Sequence, residues 1–136
     1  MKIMAYVLLT LCIALIVSCG QPQEPQEKEE VSVTSALTTE ATEFVTMLAQ
    51  GDYANAVMDF DSTMKTAMPP AKLQEAWTSL IGQVGAFNKQ VSTRETKEMG
   101  FDVVYVTCDF ERGPLNIKVV FNEAKEISGL WFVPVK

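Results

Sequence analysis

The hydrophobic period of this chain changes once, near Phe87, and that change limits the folds available to it. Before Phe87, apolar side chains recur every three or four positions, which is typical of amphipathic helices. After it, apolar and polar side chains alternate, which is typical of strands with one buried face. Helices followed by strands predict an α+β domain in which the helices pack on one face of an antiparallel sheet.

Three helices are predicted before the change of period. The first covers residues 39–50, and Gly51 follows it in the position where a left-handed residue ends many helices. Asp52 is suited to cap a second helix that begins at Tyr53. Four residues of this second helix region are expected to face inward: Ala54, Val57, Met58 and Phe60. Residues 61–68 receive no assignment.

The third helix is predicted to begin near Pro70, a residue that fits the first turn of a helix. It carries one apolar stripe, formed by Leu73, Ala76, Trp77, Leu80, Ile81 and Val84. Four strands follow, and the short links between them favour an antiparallel meander. The last strand covers residues 127–135, where a change of phase suggests a β-bulge at Gly129. The first strand, near residues 87–95, has the weakest alternation.

The N-terminal residues have the pattern of a secretion signal. Lys2 precedes residues 3–17, an uncharged apolar stretch shorter than the roughly 20 residues of a membrane span. Ser18 and Cys19 follow, and this order resembles the lipobox of prokaryotic lipoproteins. The resemblance implies that residues 1–18 are a removed signal peptide and that the Cys19 sulfur carries diacylglycerol. The protein would then be lipid-anchored on the outer side of a cell membrane. A plain cleaved signal and a short uncleaved anchor are the alternatives.

Residues 19–36 are predicted to be a disordered tether. Residues 21–30 read QPQEPQEKEE, and proline, glutamine and glutamate cannot form a core. Part of residues 31–36 could instead pack as an extra strand or turn. The folded domain is expected to cover residues 37–136, which is enough for a single hydrophobic core.

Composition excludes several classes of function. The formal net charge is −6 and no basic patch is present, which argues against nucleic-acid binding. The absence of histidine removes Ser-His-Asp and Cys-His catalysis and every metal site that uses histidine. We therefore expect no metal and no cofactor. Cys108 alternates with apolar residues and is expected to be buried rather than reactive.

Six short motifs within residues 40–134 resemble the domain-of-unknown-function 3887 family. They are AQGDYA at 49–54, MDFD at 58–61, LQEAW at 73–77, GAF at 85–87, VVYV at 103–106 and GLWF at 129–132. The resemblance implies a nuclear transport factor 2-like fold, in which three helices and a bent four-stranded antiparallel sheet form a cone. Some relatives carry this module beside a hydrolase domain. No catalytic domain is expected here, and the family has no established activity; our own expectation is a binding or interaction module of unknown ligand.

A cone of this kind encloses a concave pocket, and pockets are common ligand sites. The candidates for lining it are Phe60, Met64, Trp77 and Phe87, which at helical spacing could equally form the core. The alternative function is a small-molecule enzyme with a pocket carboxylate as general base. The candidate acids, which could instead be solvated or capping residues, are Asp59, Asp61, Asp102, Asp109 and Glu111.

The outward face of the predicted sheet is unusually apolar. By alternation it carries Val103, Tyr105, Val120, Trp131 and Val133. Exposed aromatic residues often mark a contact surface. We therefore expect Tyr105 and Trp131 to bind a second copy of the chain or a membrane-associated protein. Coverage of this face by the tether or a terminus is the alternative.

Overall fold

The computed structural model describes residues 35–136. The elements are α1 (Ala36–Gln50), α2 (Tyr53–Ala56), a 3₁₀ turn (Val57–Asp59), α3 (Ser62–Ala67), α4 (Pro70–Val84), β1 (Phe87–Glu98), β2 (Phe101–Phe110), β3 (Gly113–Phe121) and β4 (Ile127–Pro134). None of the helices in this part of the chain is long and apolar enough to cross a membrane. The predicted signal peptide, the lipid-bearing Cys19 and the tether up to residue 34 lie outside the described residues.

The four strands form one antiparallel sheet in the order β1-β2-β3-β4, so the predicted meander is confirmed. The sheet is open, with β1 and β4 at its edges. The register shifts at the start of β4, where Phe121 pairs with Ile127 but Val120 pairs with Gly129. This shift explains the change of phase in the sequence, because one extra residue lies between the two pairs.

Helix α1 is defined by caps at both ends. The Ser35 side chain accepts a hydrogen bond from the backbone nitrogen of Thr38 at 3.1 Å. Gly51 has a φ of 77° and ends the helix, as its position in the sequence predicted. The helix begins at Ala36, one residue before the predicted start of the domain.

The region between α1 and α4 differs from the prediction. Residues 35–136 contain four α-helices where three were expected, because the predicted second helix ends at Ala56 and residues 61–68 contain α3. The inward assignments of Ala54 and Met58 are wrong: Ala54 is exposed and Met58 is 66% exposed. The physical reason is that Phe60 leaves the helical path and forms a parallel bridge with Ile127 of β4.

Helices α1 and α4 bury one face of the sheet. The indole of Trp77 on α4 packs against three phenylalanine rings, with centroids 6.1 Å away at Phe87, 6.0 Å at Phe110 and 6.4 Å at Phe132. These contacts join α4 to three strands, while Phe44 of α1 packs on Phe60. The opposite face of the sheet carries Tyr105 and Trp131 and is called the outer face below.

Candidate functional site

Four residues, one from each strand, form a continuous line across the outer face. Arg94 pairs with Tyr105, Tyr105 pairs with Lys118, and Lys118 pairs with Trp131. We call these four residues the cross-strand row. Opposite residues of antiparallel strands have Cβ atoms about 4.5–5.5 Å apart. The row therefore alternates cation and aromatic ring over the whole width of the sheet.

Each cation of the row lies close to an aromatic ring. The guanidinium carbon of Arg94 is 4.3 Å from the centroid of the Tyr105 ring. The Lys118 ammonium lies between two rings, 5.7 Å from the centroid of Tyr105 and 5.6 Å from that of Trp131. All three distances are within the range of cation–π attraction. These contacts order long side chains that would otherwise move freely in water.

Glu98 fixes the centre of the row. The Tyr105 hydroxyl donates to one carboxylate oxygen of Glu98, and the Lys118 ammonium contacts the other. The hydrogen bond from Lys118, followed by that from Tyr105, lowers the pKa of Glu98. The hydrogen bond to Glu98 raises the pKa of Lys118. Both groups therefore remain charged at neutral pH and hold the Tyr105 ring in place.

Arg94 differs from Lys118 in its electrostatic partners. Within residues 35–136, Arg94 takes part in no ion pair, and its side chain is exposed. Its position over Tyr105 leaves the guanidinium N–H groups available to an external acceptor. A guanidinium can bind a carboxylate through two parallel hydrogen bonds. Arg94 is thus the cation of the row best placed to bind an anionic group.

Two clefts flank Lys118 on the outer face. The larger, of about 630 Å³, is lined by Arg94, Tyr105 and Lys118 together with polar side chains that include Ser92 and Thr107. The smaller, of about 340 Å³, is mainly apolar and is lined by side chains that include Met99, Phe101, Val120 and Trp131. The larger cleft also has apolar lining from Val133, Pro134 and Val135, so the two clefts differ mainly in that Arg94 lines only the larger one.

The structure brings both predicted interaction residues onto this face. Tyr105 is half-buried within the row, and Trp131 is 52% exposed at the end of it. Val120 and Val133 are half-buried there, whereas Val103 is buried. The sequence interpretation missed Arg94 and Lys118. Lys118 could have been found from its outward position in the alternation of β3, but β1 alternates too weakly to place Arg94.

The four predicted pocket residues pack in or against the core. Phe60 and Trp77 are buried, while Met64 and Phe87 are partly buried against the same cluster. None of the four lines either cleft of the outer face. Their apolar spacing is explained by the contacts of the core.

Four of the five candidate acids have structural partners, and the fifth, Asp59, lies half-buried in the 3₁₀ turn. Asp61 caps α3 by accepting from the backbone nitrogen of Met64 at 2.7 Å. Asp102 lies between Lys125, at 2.7 Å, and Lys97, at 2.6 Å, and their hydrogen bonds lower its pKa. Asp109 and Glu111 contact residues at or just before the start of β1. Asp109 accepts a hydrogen bond from the Asn88 side-chain amide at 3.4 Å, and Glu111 accepts one from the Ala86 backbone nitrogen at 3.4 Å.

A raised carboxyl pKa occurs at Glu40, which is not one of the candidate acids. Partial burial and then the charges of Asp59 and Glu43 raise the pKa of Glu40 on α1, which lines neither outer-face cleft. Residues 35–136 contain no group of three acidic or cysteine side chains placed to hold a metal ion. Cys108 is fully buried as predicted, and burial raises the pKa of its thiol to about 12. Its thiol therefore stays protonated at neutral pH.

Comparison with known proteins identifies one family. The family model described as "Protein of unknown function (DUF3887)" matches residues 41–130, a range that includes α4 and every member of the cross-strand row except Trp131. No curated protein and no solved structure matches this chain.

Proposed function

This chain belongs to the DUF3887 family, and we propose that it is a binding module, from the geometry of its outer face, and that it is lipid-anchored outside the cell membrane, from the lipobox pattern at Ser18 and Cys19. The observation that carries the proposal is the cross-strand row of Arg94, Tyr105, Lys118 and Trp131. Tyrosine, tryptophan and arginine are the residue types that most often supply the binding energy of protein interfaces.

The row is ordered before any partner arrives. Glu98 binds both Tyr105 and Lys118, and Arg94 lies on the Tyr105 ring. Binding loses about 0.5–1.5 kcal/mol for each long side chain that must be immobilised. A row whose side chains are already held in the free protein avoids part of that loss.

The charge of the row favours an acidic partner. Two cations lie in it, and Arg94 has no ion-pair partner among residues 35–136. A second copy aligned residue for residue with this row would place like charges together, which opposes that register, whereas the guanidinium of Arg94 can bind a carboxylate through two parallel hydrogen bonds. We therefore propose that the partner is a membrane-associated protein that presents carboxylates, and a second copy is an outcome that the experiment below can detect.

The anchor is proposed from the lipobox pattern that ends at Ser18 and Cys19. A net charge of −6 gives no attraction to anionic lipids, so attachment has to come from the acyl chains. Each buried methylene contributes about 0.8 kcal/mol, and two chains together anchor a protein stably.

We also propose that the domain is nuclear transport factor 2-like. The support is the four-stranded meander with helices packed on one face. Register shifts occur in β1 and at the start of β4, and such shifts bend a sheet. A catalytic role finds less support, because neither cleft of the outer face is lined by a carboxylate of raised pKa.

Site-specific photocrosslinking in cells that produce the lipidated protein tests the binding surface. A photoreactive amino acid is placed at Ser92, an exposed residue that lines the larger cleft. The matched control is Ser79, an equally exposed serine on α4. We expect a discrete crosslinked product from position 92 and none from position 79.

The mass of the product identifies the class of partner. A product of twice the mass of the chain would mean a second copy and would contradict an acidic protein partner. Equal crosslinking from both positions, or none from position 92, would contradict the proposed surface.

A further inference from the structure

We propose that the turn between β1 and β2 inserts Met99 and Phe101 into the surface of the lipid bilayer. Gly100 separates these two residues, and we call the three of them the hairpin tip. This inference rests on the membrane location proposed above, but it concerns a different part of the outer face. The tip would form a second, reversible membrane contact in addition to the lipid on Cys19.

The tip exposes two large apolar side chains. Met99 is 97% exposed, which makes it the most exposed large apolar residue of residues 35–136. Phe101 is 46% exposed. Both line the apolar cleft that extends to Trp131, so the tip continues an apolar surface and is not an isolated exposed residue.

The backbone of the tip shows that Met99 does not serve the fold. Met99 has a φ of 51° and Gly100 a φ of 86°. Two-residue hairpin turns with both residues at positive φ favour asparagine, aspartate or glycine at the first position. Methionine is disfavoured there by its backbone conformation and gains nothing from burial. Met99 is therefore free to make a contact outside the domain, which is the role that we propose for it.

Two lysines flank the tip with their charges outward. Lys97 and Lys125 are both largely exposed, and both contact the single carboxylate of Asp102. Two cations share the one carboxylate of Asp102, so neither ammonium group is fully neutralised by it, and both lie beside the apolar tip. Lipid phosphates are complementary to these ammonium groups, and lysine side chains can lie along an apolar surface with the ammonium group in water.

The shape of the tip favours a bilayer over a protein partner. The tip lies at the end of the β1–β2 hairpin, with Phe101 four residues from Tyr105, so a protein interface of about 800 Å² on each side centred on the cross-strand row would reach the tip only at its edge. A bilayer surface accepts a protruding apolar group without needing a complementary pocket. The anchor keeps the domain beside the membrane, so the tip needs only a weak affinity of its own.

Depth-dependent quenching on the lipidated protein in phosphatidylcholine vesicles tests the proposal. A fluorophore is attached at Met99→Cys, and the matched control is Met58→Cys, since Met58 is also an exposed methionine but lies in the 3₁₀ turn. Cys108 is buried and is not expected to react. We expect lipids with brominated acyl chains to quench the label at position 99 and to leave the label at position 58 unquenched.

The outcomes separate the tip from the anchor. If the protein does not float with the vesicles, the lipid anchor fails. If it floats but both positions are quenched equally, or neither is, the tip does not insert and the inference is overturned. Shielding of position 99 from a water-soluble quencher before vesicles are added would indicate a protein contact instead, and it would also overturn the inference.

A substitution that preserves the fold gives a second test. Met99→Gly fits the positive φ, so the domain should remain folded and its unfolding midpoint should not fall. In the mature chain with Cys19→Ser, we expect Met99→Gly to weaken vesicle binding about tenfold or more, because burying a methionine side chain contributes that much. Met58→Ala should leave vesicle binding unchanged. Equal binding by Met99→Gly and the parent chain would contradict the inference.

Discussion

The indole of Trp131 packs directly over the backbone of Gly129, two residues earlier on the same face of β4. A β-carbon added to Gly129 would lie 2.3 Å from the indole ring, which is too close for any side chain to occupy. Glycine at position 129 therefore allows the largest side chain of the cross-strand row to lie against the sheet. The register shift beside Gly129 and the position of Trp131 belong to one local arrangement.

Gly129→Ala is expected to turn the Trp131 ring away from the sheet and to lower the free energy of unfolding by about 1–3 kcal/mol. The tryptophan emission should shift to longer wavelength, because Trp131 becomes more exposed while Trp77 stays in the core. Urea unfolding and fluorescence measure the two effects. Gly82→Ala is the control, since nothing lies within 4 Å of its added β-carbon. Equal effects of both substitutions would show that the Trp131 contact is not responsible.

Trp77→Ala is expected to lower the free energy of unfolding by about 3–5 kcal/mol. The indole is buried and contacts phenylalanine rings on three strands, so its removal leaves a cavity between α4 and the sheet. Trp131→Ala changes a half-exposed site and should lower the free energy of unfolding by clearly less. Urea titration of both variants measures the difference. Equal costs would mean that Trp77 does not hold α4 on the sheet.

The acid stability of the domain should depend on Asp102 and Glu98. Both carboxyl pKa values are lowered in the folded state by hydrogen bonds from lysines. Their stabilising contribution is complete above their unfolded values, near pH 4, and is lost as the pH falls through the lowered folded values. Asp102→Asn and Glu98→Gln should each flatten the decline in stability between about pH 5 and pH 2. The control is Glu123→Gln, which removes an exposed carboxylate on the β3–β4 turn. If Asp102→Asn and Glu98→Gln lose stability with falling pH as steeply as Glu123→Gln does, the lysine contacts do not have this role.

Two cysteines remain after removal of the signal, and we expect one to be modified by lipid and the other to keep a free thiol. The Cys19 sulfur is expected to carry lipid, whereas the Cys108 thiol is free but buried, with a pKa raised to about 12. The mature protein should therefore show no reactive thiol when folded and one after denaturation. Intact mass should include the lipid, and Cys19→Ala should remove it. A mature wild-type mass without lipid would refute the anchor.

Long or strongly patterned segments were predictable from the sequence. The periods of α1, α4, β2 and β3 extend over several turns or alternations, so the buried face of each was clear. The start of α2 was predicted correctly, since Asp52 caps it by accepting from the backbone nitrogen of Asn55. Residues 57–68 were not predictable, because their path depends on the Phe60–Ile127 bridge, a contact between residues far apart in the chain. Local propensity cannot report such a contact.

Two of the four residues of the cross-strand row were predictable from the sequence. Alternation placed Tyr105 and Trp131 on the outer face, but joining them with Arg94 and Lys118 needs the register of four strands. Register follows from tertiary packing, and β1 is exposed along most of its length and so carries little pattern. Apolar spacing also could not separate pocket residues from core residues, which is why Phe60 and Trp77 were ambiguous.

The most direct test of the outer face as a binding surface combines photocrosslinking at Ser92 with the double substitution Tyr105→Ser and Trp131→Ser. Near-ultraviolet circular dichroism of Trp77 verifies that the double variant is folded. The control is Gln74→Ser with Thr78→Ser, two exposed positions on α4. We predict that the crosslinked product from position 92 disappears in the outer-face variant and persists in the α4 variant. An undiminished product from a folded outer-face variant would contradict the account.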